Sequence, residues 1–232
     1  ERLFIMNDKK RLMEIVNIID RGKNVIDVGT DHGLVPLYLA KNGISKDILA
    51  TDISSPSLKK LEDKLDDDLR KIIKTKVTDG FKGIDKKENQ VAIIAGMGGN
   101  TIIDIIDDSL DFVKNLDYMV LASNIATEKL RSYLNKNNLK ITRDFLTFEH
   151  GKYYDILKVS YGKAQDLSLA DLYYGYENID KRSKLLEEKL AIDYKKNLSF
   201  KEDIIKKSAN NDGLEKINER LQAIDEVYKR WR

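Results

Sequence analysis

The sequence predicts an α/β fold in which a mostly parallel β-sheet is clothed by helices and followed by a purely helical segment. Three observations predict it. Short runs rich in β-branched residues alternate with amphipathic helical stretches across residues 1–165, the rhythm of strand–helix units in a parallel sheet. That rhythm ends in two strand-like runs separated only by His150-Gly151, which reads as an antiparallel hairpin. Beyond residue 166 the strand signal stops, and apolar residues recur at steps of three and four instead.

Strands are expected at 24–29, 47–52, 73–78 (the weakest), 90–95 and 118–123, and the closing hairpin at 140–149 and 152–161. Helices are expected at 34–42, 57–69, 101–113 and 127–137, with one more at 9–19 ahead of the first strand. Pro56 follows Ser54 and Ser55, so a serine N-cap with proline at the first helical position starts the helix there, and Pro36 takes the same part after Gly33. In the tail, Leu214, Ile217, Leu221, Ile224, Tyr228 and Trp231 trace an a/d seam, and Ile179, Leu186, Leu190, Tyr194 and Leu198 trace a looser one. Asn210-Asn211-Asp212-Gly213 interrupts the two, so the tail is expected to form two long antiparallel helices with a short lead-in near 167–174. The organisation predicted is one domain over 1–165 and a helical coiled-coil domain over 166–232.

Composition bounds the chemistry. The chain has 232 residues and 41% hydrophobic content, enough for one large core with an appendage. Cysteine is absent and His32 and His150 are the only imidazoles, which removes disulfides, zinc–cysteine sites, iron–sulfur clusters, cysteine nucleophiles and a histidine-rich metal centre. Apolar runs such as 91–95 fall far short of the ~20 residues of a membrane span. With no basic-then-apolar leader, the cytoplasm is the expected compartment. The tail holds 14 basic and 14 acidic residues, so the net charge of +2 rests on residues 1–165, and any patch for nucleic acid must be local.

The motif with the most chemical content is Val25-Ile-Asp-Val-Gly-Thr-Asp-His-Gly33. A buried strand runs into a glycine turn and then a helix, whose first N–H groups lack helical partners and face a polar ligand. Its spacing departs from the dinucleotide pattern Gly-x-Gly-x-x-Gly, because Asp31 stands where a middle glycine is expected and would repel a pyrophosphate. A ligand with positive charge and no phosphate suits it, and S-adenosyl-L-methionine (SAM) is one. Asp52 ends the second strand 23 residues after Gly29, where a nucleoside site places a carboxylate on the ribose hydroxyls; capping the next loop is the alternative. Asp79-Gly80 follows the third strand, with Asp79 able to accept from an adenine amine. Ala95-Gly-Met-Gly-Gly-Asn100 follows the fourth, its glycines passing under a flat ring and Met97 packing against it. Asn124, after the fifth strand, is open to two readings: hydrogen bonding to a target base, or capping the next helix. His32 stands at the mouth of the site, as a substrate contact or as a structural residue. Tyr153 and Tyr154 either serve the site or fill opposite faces of their strand.

Taken together, Arg11-Leu12, the Asp-Val-Gly-Thr-Asp-His-Gly run, Asp52-Ile53, Asp79-Gly80, Ala-Gly-Met-Gly-Gly and Gly-Lys-Tyr-Tyr-Asp-Ile occur in the order that resembles the bacterial TrmK family, tRNA methyltransferases that modify N1 of the adenosine at position 22. The resemblance spans residues 8–161, and the tail is similar to that family's C-terminal coiled coil. It implies a class I SAM-dependent methyltransferase fold, Rossmann-like with an antiparallel closing hairpin, with SAM as cofactor, tRNA as partner and no metal. It further implies that Arg11, Asp27, Gly29, Asp31, Gly33, Asp52, Ile53, Asp79, Gly80, Gly96, Met97 and Gly98 line the cofactor crevice. Asp31, His32 and Asn124 are then expected beside the reacting base. Many nucleobase amine methyltransferases carry Asn/Asp-Pro-Pro-Tyr after the fourth strand; this chain has Ala-Gly-Met-Gly. Where relatives read Gln-Pro-Asn after the fifth strand, it has Ala122-Ser123-Asn124.

Phosphate contacts from Lys181, Arg182, Lys184, Lys195, Lys196, Lys206, Lys207, Lys229 and Arg230 are expected if the tail meets tRNA; a solvated helix surface is the other reading. A monomer is expected, with the helical tail the surface for any homodimer. Two other functions remain open at this level: a methyltransferase of a small molecule or protein, and a non-catalytic RNA-binding protein.

Overall fold

A computed structural model describes residues 9–206 and 211–232, which form two compact units. The larger holds the chain through Arg143 together with Thr147–Gln165; the smaller holds Asp144–Leu146 and Asp166–Arg232.

The larger unit is built on a seven-stranded sheet of order β3-β2-β1-β4-β5-β7-β6. Its strands are β1 (Asn24–Val28), β2 (Asp47–Asp52), β3 (Ile73–Val77), β4 (Gln90–Ala95), β5 (Tyr118–Ser123), β6 (Leu139–Glu149) and β7 (Lys152–Tyr161). The first five are parallel, and β7 runs antiparallel to β5. Burial explains the order: β4 and β5 are buried almost throughout, as strands covered on both faces must be, whereas edge strand β3 buries only Ile73. Because β1 lies between β2 and β4, the connections leaving β1 and β4 diverge at their carboxyl ends and open a crevice there. At the hairpin, His150 (φ 48°) and Gly151 (φ 76°) both take positive φ, as a tight primed turn requires.

The helices of this unit are α1 (Lys10–Asn17), α2 (Leu34–Lys41), α3 (Ser55–Glu62), α4 (Asp67–Ile72), α5 (Gly99–Asp107), α6 (Leu110–Val113) and α7 (Thr127–Lys136). Two expected helices prove to be pairs. The stretch 57–69 divides because the Asp66 side chain accepts the Leu69 N–H at 2.9 Å and starts a fresh helix. The stretch 101–113 divides at Asp107-Asp108-Ser109, residues that compete for backbone hydrogen bonds and disfavour a helix interior. Ser54 is the N-cap of α3, accepting from the Ser57 N–H at 3.4 Å, so Pro56 is the second helical residue rather than the first. Pro36 is the third residue of α2, still inside the turn whose N–H groups lack helical partners.

One polar pair sits inside this core. Arg131 of α7 is fully buried, and its Nη2 lies 2.6 Å from Asp155 Oδ1 on β7. The guanidinium has no access to bulk water and the carboxylate little, so each charge offsets much of the other's desolvation cost.

The smaller unit contains α8 (Leu169–Tyr174), α9 (Tyr176–Asp180), α10 (Lys184–Lys206) and α11 (Asn211–Trp231). Helix α8 opens with a capping box between Ser168 and Asp171, and Arg230 of α11 holds Asp171 at 2.8 Å and Glu226 at 3.1 Å. Backbone N–H groups of Asp144 and Leu146 donate to Glu177 Oε2 and Asn178 Oδ1 of α9. Helices α10 and α11 run antiparallel, with Ile204 beside Gly213 at one end and Leu198 sharing a groove with Leu221 further along.

The seam differs from the expected register. Leu186, Leu190 and Asn197 are buried in α10, and Ile217, Ala223, Ile224 and Val227 in α11, whereas Tyr194 and Leu198 are 41% and 37% exposed. Ile179 lies on α9 rather than on the long helix. Because α8 also packs on α11, the apolar face of α11 is wider than a two-helix seam, and Ala223 and Val227 fill the extra width. Of the cations expected to meet phosphate, Lys181 pairs with Glu177, Arg182 donates to the Trp231 carbonyl and Arg230 joins the Asp171 network. Lys207 and Asn210 lie outside the described residues.

Replacing Arg131 with Met strands the Asp155 carboxylate in the core. Urea denaturation is expected to show a loss of about 3–5 kcal/mol, part of which the double variant Arg131→Met/Asp155→Leu regains.

Candidate active site

The carboxyl edge of β1 and β2 is organised by a five-residue return, Gly29–Gly33, that carries the chain into α2. The N–H groups of Gly29 and Thr30 both donate to the Thr51 carbonyl, at 2.8 and 3.0 Å, which ties the turn to β2. Gly29 has φ 73°, and a Cβ there would collide with the methyl of Met97. Asp31 takes φ 45°, a left-handed conformation that aspartate tolerates. The Thr30 hydroxyl donates to Asp27 Oδ2 at 2.5 Å, and the Lys64 ammonium donates to the His32 carbonyl at 2.8 Å.

Asp52 does two things locally. Its Oδ1 accepts the Ser54 N–H at 2.8 Å and its Oδ2 accepts the Asp31 N–H at 3.3 Å, so the carboxylate caps its own loop and ties it to the β1 turn. A carboxylate has about four acceptor positions, which leaves capacity for ligand hydroxyls.

Around this turn lies a cavity of about 600 Å³, within the range of small-molecule sites. Its wall carries Asp27, Asp31, Asp52, Asp79, Asp104 and Asp108 against only Lys9 and Arg11 among its lysines and arginines. Asp27 is buried. Removal from water, reinforced by the neighbouring Asp52 charge and opposed by the Thr30 hydrogen bond, pushes its pKa up to about 6. Asp79 and Asp108 are joined through Lys82, whose ammonium stands 3.3 Å from Asp108. At the far side, Arg11 is held by Glu149 (backbone N–H to Oε1, 3.0 Å; Nε to Oε2, 3.6 Å) and lies over the Tyr154 ring, 4.7 Å from its centroid.

Most residues singled out in the sequence converge on this cavity. Arg11, Asp27, Gly29, Asp31, His32, Asp52, Ile53, Asp79, Gly80, Gly96 and Met97 all line it. Gly33, Gly98 and Asn124 do not. Gly33 is glycine because its φ is 67° and a Cβ would strike the Leu61 side chain of α3, so its demand is helix packing. Gly98 is the N-cap of α5 in extended conformation. Asn124 neither reaches the cavity nor caps α7, whose N-cap is Ala126; the Ser123 hydroxyl makes the local turn by donating to the Ile125 carbonyl at 2.9 Å. Conversely, Thr101, Asp104, Ile105 and Asp108 line the wall although sequence reasoning passed over them. Their spacing of three, one and three marks a single face of α5, and that periodicity was the available signal.

The profile of the methyltransferase domain family matches residues 8–157. The chain is 29% identical over 154 residues to the tRNA (adenine(22)-N(1))-methyltransferase of Bacillus subtilis (strain 168), a match covering 66% of this chain and 65% of that protein's length, just under two thirds. It is 30% identical over 155 residues to a Mycoplasma genitalium protein described as a candidate tRNA methyltransferase, covering 65% of this chain and 69% of that one. Among solved structures, a Streptococcus pneumoniae candidate tRNA (m1A22) methyltransferase in complex with S-adenosyl-L-methionine superposes with a TM-score of 0.83 at 25% identity, covering 94% of this chain and 98% of that one.

The raised pKa of Asp27 has a consequence for stability with a definite sign. The folded chain holds a proton there up to about pH 6, whereas the unfolded chain releases it near pH ~4, so stability falls as pH rises between these values and levels off above. Asp27→Asn is expected to remove about 2–3 kcal/mol of that decline, read from denaturation midpoints at pH 4 through 7.

Proposed function

Since this chain belongs to the methyltransferase domain family, we propose that it is a SAM-dependent tRNA methyltransferase acting on N1 of adenosine 22. The observation that carries the reading is the acidic wall at the carboxyl edge of the sheet. SAM brings a sulfonium and an ammonium, a ribose, an adenine and a single carboxylate. A wall of six aspartates with one arginine and one lysine fits that inventory and disfavours a pyrophosphate. The residues would hold it as follows: Asp52 accepts from the ribose hydroxyls, Asp79 from the adenine amine, Ile53 and Met97 cover the ring, and Arg11 receives the carboxylate. When bound, SAM supplies an electrophilic methyl group.

The chain's own residues then have a limited task. Adenine N1 is neutral near pH 7 and has an in-plane lone pair, so no general base is required, and catalysis consists mainly of placement. Because N1 belongs to the pairing edge, the adenine must be unpaired or flipped out before it reaches the cavity. Asp31 and His32 stand at the cavity rim with His32 Nε2 3.5 Å from Asp31 Oδ2, and the Asp31 carboxylate stabilises the positive charge that N1-methylation leaves on the ring. Neither residue needs to accept a proton for this. The helical unit adds phosphate contacts from Lys195 and Lys196, and the reading puts the protein in the cytoplasm. No helix of the described residues is long and apolar enough to cross a membrane.

Incubation with labelled SAM and unmodified tRNA, followed by nucleoside analysis, is expected to yield 1-methyladenosine; label on another nucleoside, or none, overturns the reading. Asp52→Ala is expected to weaken SAM binding roughly 10- to 100-fold by calorimetry, the cost of a lost hydrogen bond to a charged group. Lys195→Glu/Lys196→Glu is expected to lower tRNA affinity, to reduce the slope of log affinity against log salt by about 1–2, and to leave SAM affinity unchanged.

A further inference from the structure

The hairpin carries an aromatic pair that the SAM site does not use. Phe148 of β6 and Tyr153 of β7 face each other across the turn, ring centroids 4.7 Å apart and planes inclined at 55°, with Phe148 40% exposed. Strand register locates them. Ser123, the last residue of β5, is opposite Asp155, so Lys152, Tyr153 and Tyr154 project past the end of β5 at the same sheet edge as the cavity. Neighbouring strands lie about 4.8 Å apart, so β7 lies about 10 Å across the sheet from β4, and Gly96, which follows β4, lines the cavity. Tyr154 links the two places, since the Arg11 guanidinium that covers its ring also lines the cavity wall.

The electrostatics around the pair favour an anion-bearing partner. Glu149 is engaged by Arg11, and Asp155 by Arg131, so the acidic residues of the hairpin start are compensated within the fold. Lys152 beside Tyr153 is exposed. An aromatic pair with one exposed ring and a neighbouring cation suits a single-stranded nucleic acid, which needs a flat face for a base and a positive charge for its phosphate.

We propose that Phe148 and Tyr153 form a stacking platform for a nucleobase next to the target adenine, so that the substrate loop is held splayed open while the adenine enters the cavity. This rests on the tRNA reading above and deepens it, adding a positioning surface outside the cofactor site. The platform favours unpaired loop nucleotides, because a base inside a duplex has no free face to offer.

The test is steady-state methylation of tRNA by Phe148→Ala, Tyr153→Leu and the ring-conserving variants Phe148→Tyr and Tyr153→Phe, with SAM affinity and melting temperature measured on each. The first two are expected to lose about tenfold in kcat/KM for tRNA with SAM affinity and melting temperature near wild type, and the ring-conserving pair to stay near wild type. Wild-type kcat/KM in Phe148→Ala overturns the platform and leaves the tRNA reading standing. So does a loss of SAM affinity that matches the loss of kcat/KM, or a wild-type dimer that Phe148→Ala dissociates without loss of activity. A wild-type chain that binds SAM but methylates no tRNA overturns both.

Discussion

The site depends on one constraint, the need to reverse the chain between β1 and α2 within five residues while leaving a cavity beside the turn. Three residues of that return take positive φ, and two of them are glycine. Two backbone N–H groups converge on the single carbonyl of Thr51, and the Asp52 carboxylate catches the Asp31 N–H from the same side. The turn is therefore held by β2 rather than by α2, and the aspartates at the two strand ends are fixed relative to each other by hydrogen bonds of the fold itself. Burial of Asp27 beneath this turn, with Thr30 as its hydrogen-bond donor, is the electrostatic cost that accompanies the geometry.

What was legible in the sequence follows from how each feature is encoded. The central strands of the parallel sheet carry apolar runs, and β2, β4 and β5 have the bounds 47–52, 90–95 and 118–123 that those runs and their polar flanks predict. The aspartates that follow them sit at the cavity because strand ends and sheet topology together leave them nowhere else to point. The helix breaks after Glu62 and Asp107 were not legible, since the first turns on Asp66 capturing the Leu69 N–H and the second on three short polar residues in a row, and apolar periodicity runs on through both. Gly33 and Gly98 show the reverse difficulty: glycine in a motif marks a backbone requirement without saying whether a ligand, a helix or a loop imposes it. At Gly33 the agent is Leu61, 28 residues further along the chain and invisible to any local pattern. Arg131 gave no sign of being fully buried, because a lone arginine in an amphipathic helix normally faces water.

The helical unit shows what a seam pattern omits. Leu186, Leu190, Ile217 and Ile224 obey the expected spacing, but Ala223 and Val227 are buried by the presence of α8, an element that the two-helix reading treats as a lead-in. Asn197 occupies a buried place where the pattern calls for an apolar residue, its amide nitrogen donating to the Asp193 carbonyl one turn earlier. Polar ties at the other end of the unit, Arg230 to Asp171 and the capping box at Ser168, define how α8 meets α11.

Ile53 is 75% exposed although it borders a cavity. A branched apolar side chain standing in water beside a site proposed to take a flat ring is a thermodynamic marker. Covering it on binding withdraws hydrocarbon surface from solvent, which gives association a negative heat-capacity change. The enthalpy of complex formation consequently becomes more exothermic with warming while the affinity changes far less, so a calorimetric signal that is weak in the cold grows at the temperatures where the protein works.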